Sequence, residues 1–282
     1  MSRKLVSFDW AMKKILRQKD NFEILEGFLS ELFGFDIKIV EILESEGNQE
    51  RENDKFNRVD LLAKDDRDEL ILIEVQYDSE QDYFHRMLYG TSKLICEYIE
   101  KGEAYSKVKK VYSVNIVYFA LAKGNDYLYH GKTEFIGQNN VDEVFELSNL
   151  QQKEFGLESV YEIFPEYFVI RVNKFNDITK NRLDEWIYFL KNEMIKDDFK
   201  AKGLDKAQKT LDIMKLKDEE RRAYNRKLEN LSLEKSLVRS AKIEAMRERD
   251  MEIAKISLSQ NIDIKTISLI TGLSIEEIES LQ

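Results

Sequence analysis

The sequence is poor in residues that cross-link a chain or interrupt its elements, with one cysteine, one proline and 11 glycines among 282 residues. The single cysteine, Cys96, cannot form a disulfide within the chain, so we expect a reducing, cytoplasmic environment. No apolar run approaches the ~20 residues that cross a bilayer, and no basic and then apolar leader opens the chain. We therefore expect no membrane partner and no secretory signal.

Several catalytic signatures are also missing from the sequence. It contains no GxxxxGK[ST] or GxGxxG loop and no GxSxG turn, which counts against a phosphate-binding loop and a serine hydrolase. It has two histidines, and no cysteine stands near His130, so a zinc site is not expected.

Negative charge is in excess, but only in the first 200 residues. The net charge is -10, whereas residues 201–282 hold 16 lysines and arginines against 15 aspartates and glutamates. This balance counts against a broad nucleic-acid-binding surface, which is usually basic. It still allows a local site at which a metal ion offsets carboxylates.

The apolar pattern of residues 1–200 predicts an α/β domain. Helices are predicted over residues 8–16, 21–33, 79–101 and 177–198, the third of them capped by Ser79. Strands are predicted over residues 35–43, 57–64, 70–77, 109–121 and 127–136, with one more after Pro165 and a loop over 44–53.

The sequence after Gly203 predicts a different organisation. Up to about residue 255 it is charged, has regular apolar positions and lacks glycine and proline. This pattern indicates a long exposed helix, or a short coiled coil through which two copies would form a homodimer. We therefore expect three parts, residues 1–200, 201–255 and 256–282.

The C-terminal part predicts two short helices around Gly272, the first over residues 264–270. Ser274, with Glu277 three residues later, forms a capping box for the second helix. The pattern is that of a helix-turn-helix unit, but SIEEIESLQ is acidic and offers only Gln282 among the residues that read base edges well. DNA binding, packing and protein contact all remain open for this tail.

Two carboxylates lie within the mostly apolar strands of a hairpin with a charged turn, NRVDLLAKDDRDELILIEVQ, at residues 57–76. Asp60 and Glu74 lie on its strands, and a buried carboxylate is costly unless it is paired. In a first interpretation they bind one Mg²⁺ across the hairpin, with the Val75 backbone carbonyl as a third oxygen ligand. Gln76, on the same face as Glu74, would orient a metal-polarised water or hold a phosphate oxygen.

A second interpretation of the hairpin needs no metal. Asp60 and Glu74 would lie on a solvated sheet edge and pair with Arg58, Lys64 or other surface charge. The spacing alone does not decide between the two interpretations.

Further segments accompany the hairpin over roughly residues 5–195. FDWAMKKIL contains Asp9 and Lys13, FHRMLYGTSKL contains Arg86 and Tyr89, and GEAYSKVKKVYSVNIVYFAL and LDEWIYFLK follow in order. Together with the Ile-Glu-x-Gln core, they resemble the Rpn-type recombination-promoting nucleases, also called PD-(D/E)XK nuclease family transposases. The chain departs from that pattern at two positions, Met12 for a phenylalanine and Gly90 for a tyrosine.

The resemblance implies a restriction-endonuclease-like fold, in which helices flank a mixed central sheet and a long charged helix and a small helical unit follow. It also implies a Mg²⁺-dependent endonuclease that hydrolyses DNA phosphodiester bonds, with Mn²⁺ as a substitute. The metal ligands would be Asp60 and Glu74, and Gln76 would stand where the wider superfamily has a lysine.

The roles of the surrounding residues remain open. Lys13 would bind phosphate or pair with Asp9 one turn earlier. Arg86 would bind phosphate or clamp the carboxylates, and Tyr89 is expected in the core with its hydroxyl satisfied.

Two rival functions remain open beside the nuclease. One is a non-catalytic interaction protein on a nuclease scaffold, because a fold does not fix an activity. The other is a DNA-binding regulator that uses the tail. An electropositive patch of Lys13, Arg58 and Arg86 near the carboxylates would favour the nuclease.

Overall fold

The computed structural model describes residues 5–43, 61–99, 101–213 and 216–281, and the chain forms two compact units, Met1–Leu216 and Lys217–Gln282. The helices of the first unit are α1 (Phe8–Lys14), α2 (Phe22–Phe33), α3 (Tyr83–Glu97), α4 (Asn149–Phe155), α5 (Arg182–Asn192) and α6 (Leu204–Thr210). Its strands are β1 (Ile39–Leu43), β2 (Leu61–Asp65), β3 (Leu70–Gln76), β4 (Val111–Val117), β5 (Leu128–Gly131) and β6 (Glu166–Arg171).

One six-stranded sheet organises the first unit, with the strand order β1-β2-β3-β4-β6-β5. Strands β1, β2 and β3 are antiparallel neighbours, β3, β4 and β6 run parallel, and β5 returns antiparallel to β6. Strands β3 and β4 are therefore central, and nearly all of their residues are buried. This mixed sheet flanked by helices confirms the predicted fold class.

Helix α3 covers one face of the sheet. Its Leu94 packs in one cluster with Leu70 and Leu72 of β3. Side chains alternate along a strand, so Glu74 and Gln76 lie on the same α3 side as Leu72. The polar end of β3 is thus directed toward the helix that follows it in the chain.

Aromatic side chains fill the opposite face of the sheet. Phe33 of α2 lies 4.8 Å from Tyr112 of β4 and 4.9 Å from Phe168 of β6, measured between ring centroids. A ring cluster then joins α1, α2 and α5 through Phe8, Phe28, Trp186 and Phe189. Helix α1 is therefore held on the α2 side.

Two glycines allow α6 to approach α2. A Cβ on Gly27 would lie 2.1 Å from the backbone oxygen of Lys202, and one on Gly203 would lie 2.8 Å from the backbone oxygen of Glu23. Gly203 also has φ +83°, a conformation that favours glycine. The segment around Gly203 is thus a packed part of the first unit.

The single helix expected from residue 203 to about 255 is instead two helices. Leu204 and Ala207 are buried, which fixes α6 in the first unit, and the long helix α7 begins only at Asp218. The first compact unit accordingly continues to Leu216, beyond the boundary expected at residue 200.

The second unit consists of α7 (Asp218–Ser259), α8 (Ile264–Thr271) and α9 (Ile275–Glu279). Helix α7 has 42 residues and leaves Leu233, Leu237 and Val238 exposed. A coiled coil or homodimer through this helix stays a prediction.

The tail helices pack against the C-terminal part of α7. Ala254, Ile267, Leu273 and Ile278 form their shared buried cluster. Gly272 ends α8 with φ +74°, and the capping box that starts α9 is formed as predicted. Packing of the tail is therefore seen within this unit.

Some expected boundaries differ from the structure or lie outside it. Helix α3 begins at Tyr83 rather than Ser79, and Asp82 at its N-cap makes no side-chain capping hydrogen bond in the described structure. Residues 44–60, which include the expected loop and the start of the hairpin, are outside the described residues. Of the described helices, none combines the length and the apolar character needed to cross a membrane.

Candidate active site

Glu74 is a carboxylate within the centre of the sheet. It lies on β3, opposite Asn115 of β4, and its residue surface is 3% exposed. A carboxylate this buried needs a counter-charge. The interpretation that places Glu74 on a solvated sheet edge is therefore wrong, and Lys64 pairs instead with Glu41 and Asp68.

Arg86 of α3 supplies a counter-charge to Glu74. Its Nη2 donates to Glu74 Oε2 at 3.1 Å, and its Nη1 donates to Glu80 Oε2 at 2.7 Å. Burial alone would lower the pKa of Arg86, but the carboxylates of Glu74 and Glu80 outweigh it and raise that pKa. Of the two expected roles for Arg86, the described geometry is that of a carboxylate clamp.

Glu80 and Tyr83 join this group although the sequence did not single them out. Glu80 lies in the connection between β3 and α3, where no periodic pattern marks it. The Tyr83 hydroxyl donates to Asn115 Oδ1 at 3.1 Å, and the Arg86 guanidinium lies 5.3 Å from the centroid of the Tyr83 ring. Asn115 offered a signal, because it is an amide inside an apolar central strand.

Gln76 ends β3 on the same face as Glu74 and is half-buried. Its Nε2 donates to the backbone oxygen of Asp78 at 3.4 Å. Val75, between Glu74 and Gln76 in the sequence, is buried and carries its side chain on the opposite face. A carboxylate, a backbone carbonyl and an amide thus follow one another at the end of a central strand.

Asp9 of α1 is anchored to the residue that follows β3. The hydroxyl of Tyr77 donates to Asp9 Oδ1 at 3.1 Å, and the Tyr77 ring stacks on Tyr118 with 4.3 Å between centroids. Burial, with Tyr118 and Asp9 nearby, raises the pKa of Tyr77, so its hydroxyl stays protonated as a donor. Lys13 lies one turn after Asp9 on α1, but its side chain is not among those described.

Asp60 and Arg58 lie outside the described residues, so their predicted roles stay predictions. What the structure gives is the register beside them: Leu61 pairs with Ile73 in the β2–β3 ladder. Within the described ranges, no group of three or more His, Cys, Asp or Glu side chains could hold a metal ion.

Tyr89 was expected in the core, but it lies at the surface. It is 44% exposed, because it lies on the outer side of α3, whereas Tyr83 and Met87 turn toward the sheet. The family segment on α3 therefore brings Arg86 to Glu74 but leaves Tyr89 at the surface.

The donor set at this end of β3 fits a hard divalent cation. Glu74 provides a carboxylate and Val75 a backbone carbonyl, which are the oxygen ligands that Mg²⁺ and Mn²⁺ accept. Glu74 is also held by a cation already, which shows that its position is one where positive charge is stabilised.

Comparison with known proteins gave one family match. The family model described as PD-(D/E)XK nuclease family transposase matches residues 6–241. Searches of curated proteins and of solved structures gave no significant match. The matched range includes α1, the whole sheet and α3, and so every residue of the candidate site.

Proposed function

Because this chain belongs to the PD-(D/E)XK nuclease family transposases, we propose that it is a divalent-metal-dependent DNA endonuclease, acting in recombination or on mobile elements. PD-(D/E)XK nucleases generally use divalent metal ions. The observation that carries the proposal is Glu74, a carboxylate only 3% exposed on a central strand and paired with positive charge. Such a costly position is expected for a group that binds a cation.

Four residues of the hairpin would form the reacting centre. Asp60 and Glu74 would hold Mg²⁺, or Mn²⁺ in its place, together with the Val75 carbonyl. Gln76 would hold a phosphate oxygen or orient the attacking water from the same face. When bound, the metal supplies a lower pKa for a water molecule and neutralises charge on the phosphate.

Residues from two helices would complete the site. Lys13 on α1 would bind a phosphate, and the Tyr77–Asp9 hydrogen bond supports this role because it ties α1 to the end of β3. Arg86 would act on the carboxylate of Glu74, in line with its clamp geometry. DNA is then the macromolecular substrate.

The test of this proposal is nicking of supercoiled plasmid by the purified full chain with Mg²⁺, Mn²⁺ or EDTA. Asp60→Asn and Glu74→Gln keep the side-chain shapes and remove the charges. Asp66→Asn, at an exposed acid in the same hairpin, is the matched control. We expect metal-dependent nicking in the wild type and in the control, and its loss in both site variants.

A second function, a non-catalytic interaction protein on the nuclease scaffold, is favoured by one observation. The charge of Arg86 is taken up by Glu74 and Glu80, so this cation is not directed at a substrate. The same trace nicking in the wild type and the site variants would indicate contamination and would favour this function.

A further inference from the structure

Arg86 is shared between two carboxylates that differ in their surroundings. Glu74 is fixed on a strand and its side chain is 4% exposed, whereas Glu80 is in a connection and its side chain is 27% exposed. The contact to Glu80 is the shorter one, at 2.7 Å against 3.1 Å. Arg86 therefore already has a second acceptor outside the sheet.

The contact between Arg86 and Glu74 is a single hydrogen bond. Arg86 Nε is buried and has no hydrogen-bond acceptor in the described part of the chain. Nε and Nη2 form one edge of the guanidinium group, and the strongest arginine–carboxylate pairs use two donors of one edge. Arg86 reaches Glu74 through Nη2 and not through Nε, so this pair lacks one of the two contacts that would make it tight.

A divalent cation at Glu74 would meet Arg86 as a competitor. Two cations at one buried carboxylate repel each other strongly, because screening by water is weak there. Arg86 must then find another negative partner, and Glu80 already accepts a hydrogen bond from it.

We propose that Arg86 is the resident counter-charge of Glu74 and transfers to Glu80 when a divalent cation binds, so that Glu80 sets the cation affinity of the site. This inference rests on the proposed function, since it assumes that Glu74 is a metal ligand. Glu80 is a positioning residue in this arrangement: it acts on the metal site only through Arg86.

The experiment measures Mn²⁺ binding to the full chain by titration calorimetry without DNA. The proteins are the wild type, Glu80→Gln, Arg86→Met, and the double variant. Removing Glu80 leaves Arg86 on Glu74, so we expect Glu80→Gln to weaken Mn²⁺ binding about tenfold, within the usual coupling between contacting residues. Arg86→Met removes the competitor and tightens binding, and Glu80→Gln then has almost no effect in that background.

A matched control separates this effect from a general loss of negative charge. Asp78 is an exposed carboxylate two residues before Glu80, and Asp78→Asn should leave Mn²⁺ affinity unchanged. Circular dichroism checks that each variant is folded. If Arg86→Met does not fold, Arg86→Gln, which keeps a donor for Glu74, replaces it in the cycle.

The outcomes distinguish this inference from the proposed function. If Glu80→Gln weakens binding equally in both backgrounds, Glu80 touches the cation itself and the inference is wrong. If Glu80→Gln changes nothing while Glu74→Gln abolishes Mn²⁺ binding, the metal site stands and the inference alone fails. If the wild type binds no Mn²⁺, the proposed metal site fails and the inference with it.

Discussion

The hydroxyl of Tyr77 donates a hydrogen bond to the carboxylate of Asp9, across 68 positions of sequence. Tyr77 follows the last residue of β3, and Asp9 lies in the first turn of α1. This bond fixes α1 relative to the strand end that carries Glu74 and Gln76. The family segment around Asp9 is thus linked to the hairpin by a contact that its sequence alone does not show.

Tyr77→Phe removes this hydrogen bond and keeps the ring stacked on Tyr118. We expect the free energy of unfolding to fall by about 1–2 kcal/mol, since hydrogen bonds to a carboxylate exceed the average. Urea unfolding followed by circular dichroism measures the change. Tyr105, at 90% exposed, provides the control, and an equal loss in Tyr105→Phe would contradict the assigned role of the bond.

Glu69 makes stability depend on pH near neutrality. Burial, opposed by Arg67 and aided by the Asp65 carboxylate, raises the pKa of Glu69 to about 7 from 4.5. The folded state therefore binds the proton more tightly than the unfolded state. The contribution of protonated Glu69 to the free energy of unfolding is fully present below pH 4.5 and is lost as the pH rises through about 7.

Glu69→Gln should abolish this dependence, because the amide is neutral at every pH. We compare the free energy of unfolding of the variant with that of the wild type at pH 5 and at pH 8. From pH 5 to pH 8 the difference should shift in favour of the variant by about 1 kcal/mol, or roughly 2–4 °C in Tm, after allowance for solvent screening. Thermal unfolding at both pH values measures it. Asp66→Asn, at an exposed acid of the same turn, should show no such gain. A gain that does not change with pH would disprove the assignment.

Local patterns in the sequence were sufficient for much of the fold. The hydrophobic period placed α2 and β3 to within a residue or two, and side-chain alternation put Glu74 and Gln76 on one face. The Ser274 capping box was correct because its hydrogen bonds join residues three apart. These features depend on near neighbours, which sequence order specifies directly.

The contacts that complete the candidate site are not local. Glu80 has no periodic or capping signal, and its importance depends on how α3 lies over β3. The charged pattern of residues 204–210 predicts that they belong to the exposed helix, but Gly27 and Gly203 allow a close approach that buries Leu204. Such contacts require the positions of two distant segments, which periodicity does not provide.

Gln76 should affect the reaction rather than metal binding. Its neutral amide is a weak ligand compared with the carboxylate of Glu74, but it can hold a phosphate oxygen or a water. We expect Gln76→Ala to slow plasmid nicking by about 10²-fold, typical of losing one group that acts in the transition state. The Mn²⁺ dissociation constant should change by less than about threefold.

Two variants bracket this prediction for Gln76. Glu74→Gln should lose both nicking and Mn²⁺ binding, while Asp78→Asn, in which the backbone oxygen that accepts from Gln76 is kept, should lose neither. If Gln76→Ala weakens Mn²⁺ binding as strongly as Glu74→Gln does, then Gln76 is a metal ligand and its assigned role is wrong.

Ile278 holds the tail helices on the end of α7. It is fully buried in the small cluster with Ala254, Ile267 and Leu273. Ile278→Ala leaves a cavity that costs about 2–4 kcal/mol, a large share of what so small a core provides. We expect the backbone amides of α8 and α9 to exchange hydrogen at least ~10-fold faster, measured by mass spectrometry, because opening of this unit becomes easier.

The matched control for Ile278 lies on the same tail. Ile270 is 62% exposed, and Ile270→Ala should leave hydrogen exchange unchanged.

The same two variants also test whether the tail binds DNA. Helix α9 presents Glu276, Glu277 and Glu279, and such acidic side chains repel phosphates. Duplex binding by the full chain at low salt should therefore be unaltered by Ile278→Ala. A clear loss of binding in this variant alone would instead assign DNA binding to the folded tail.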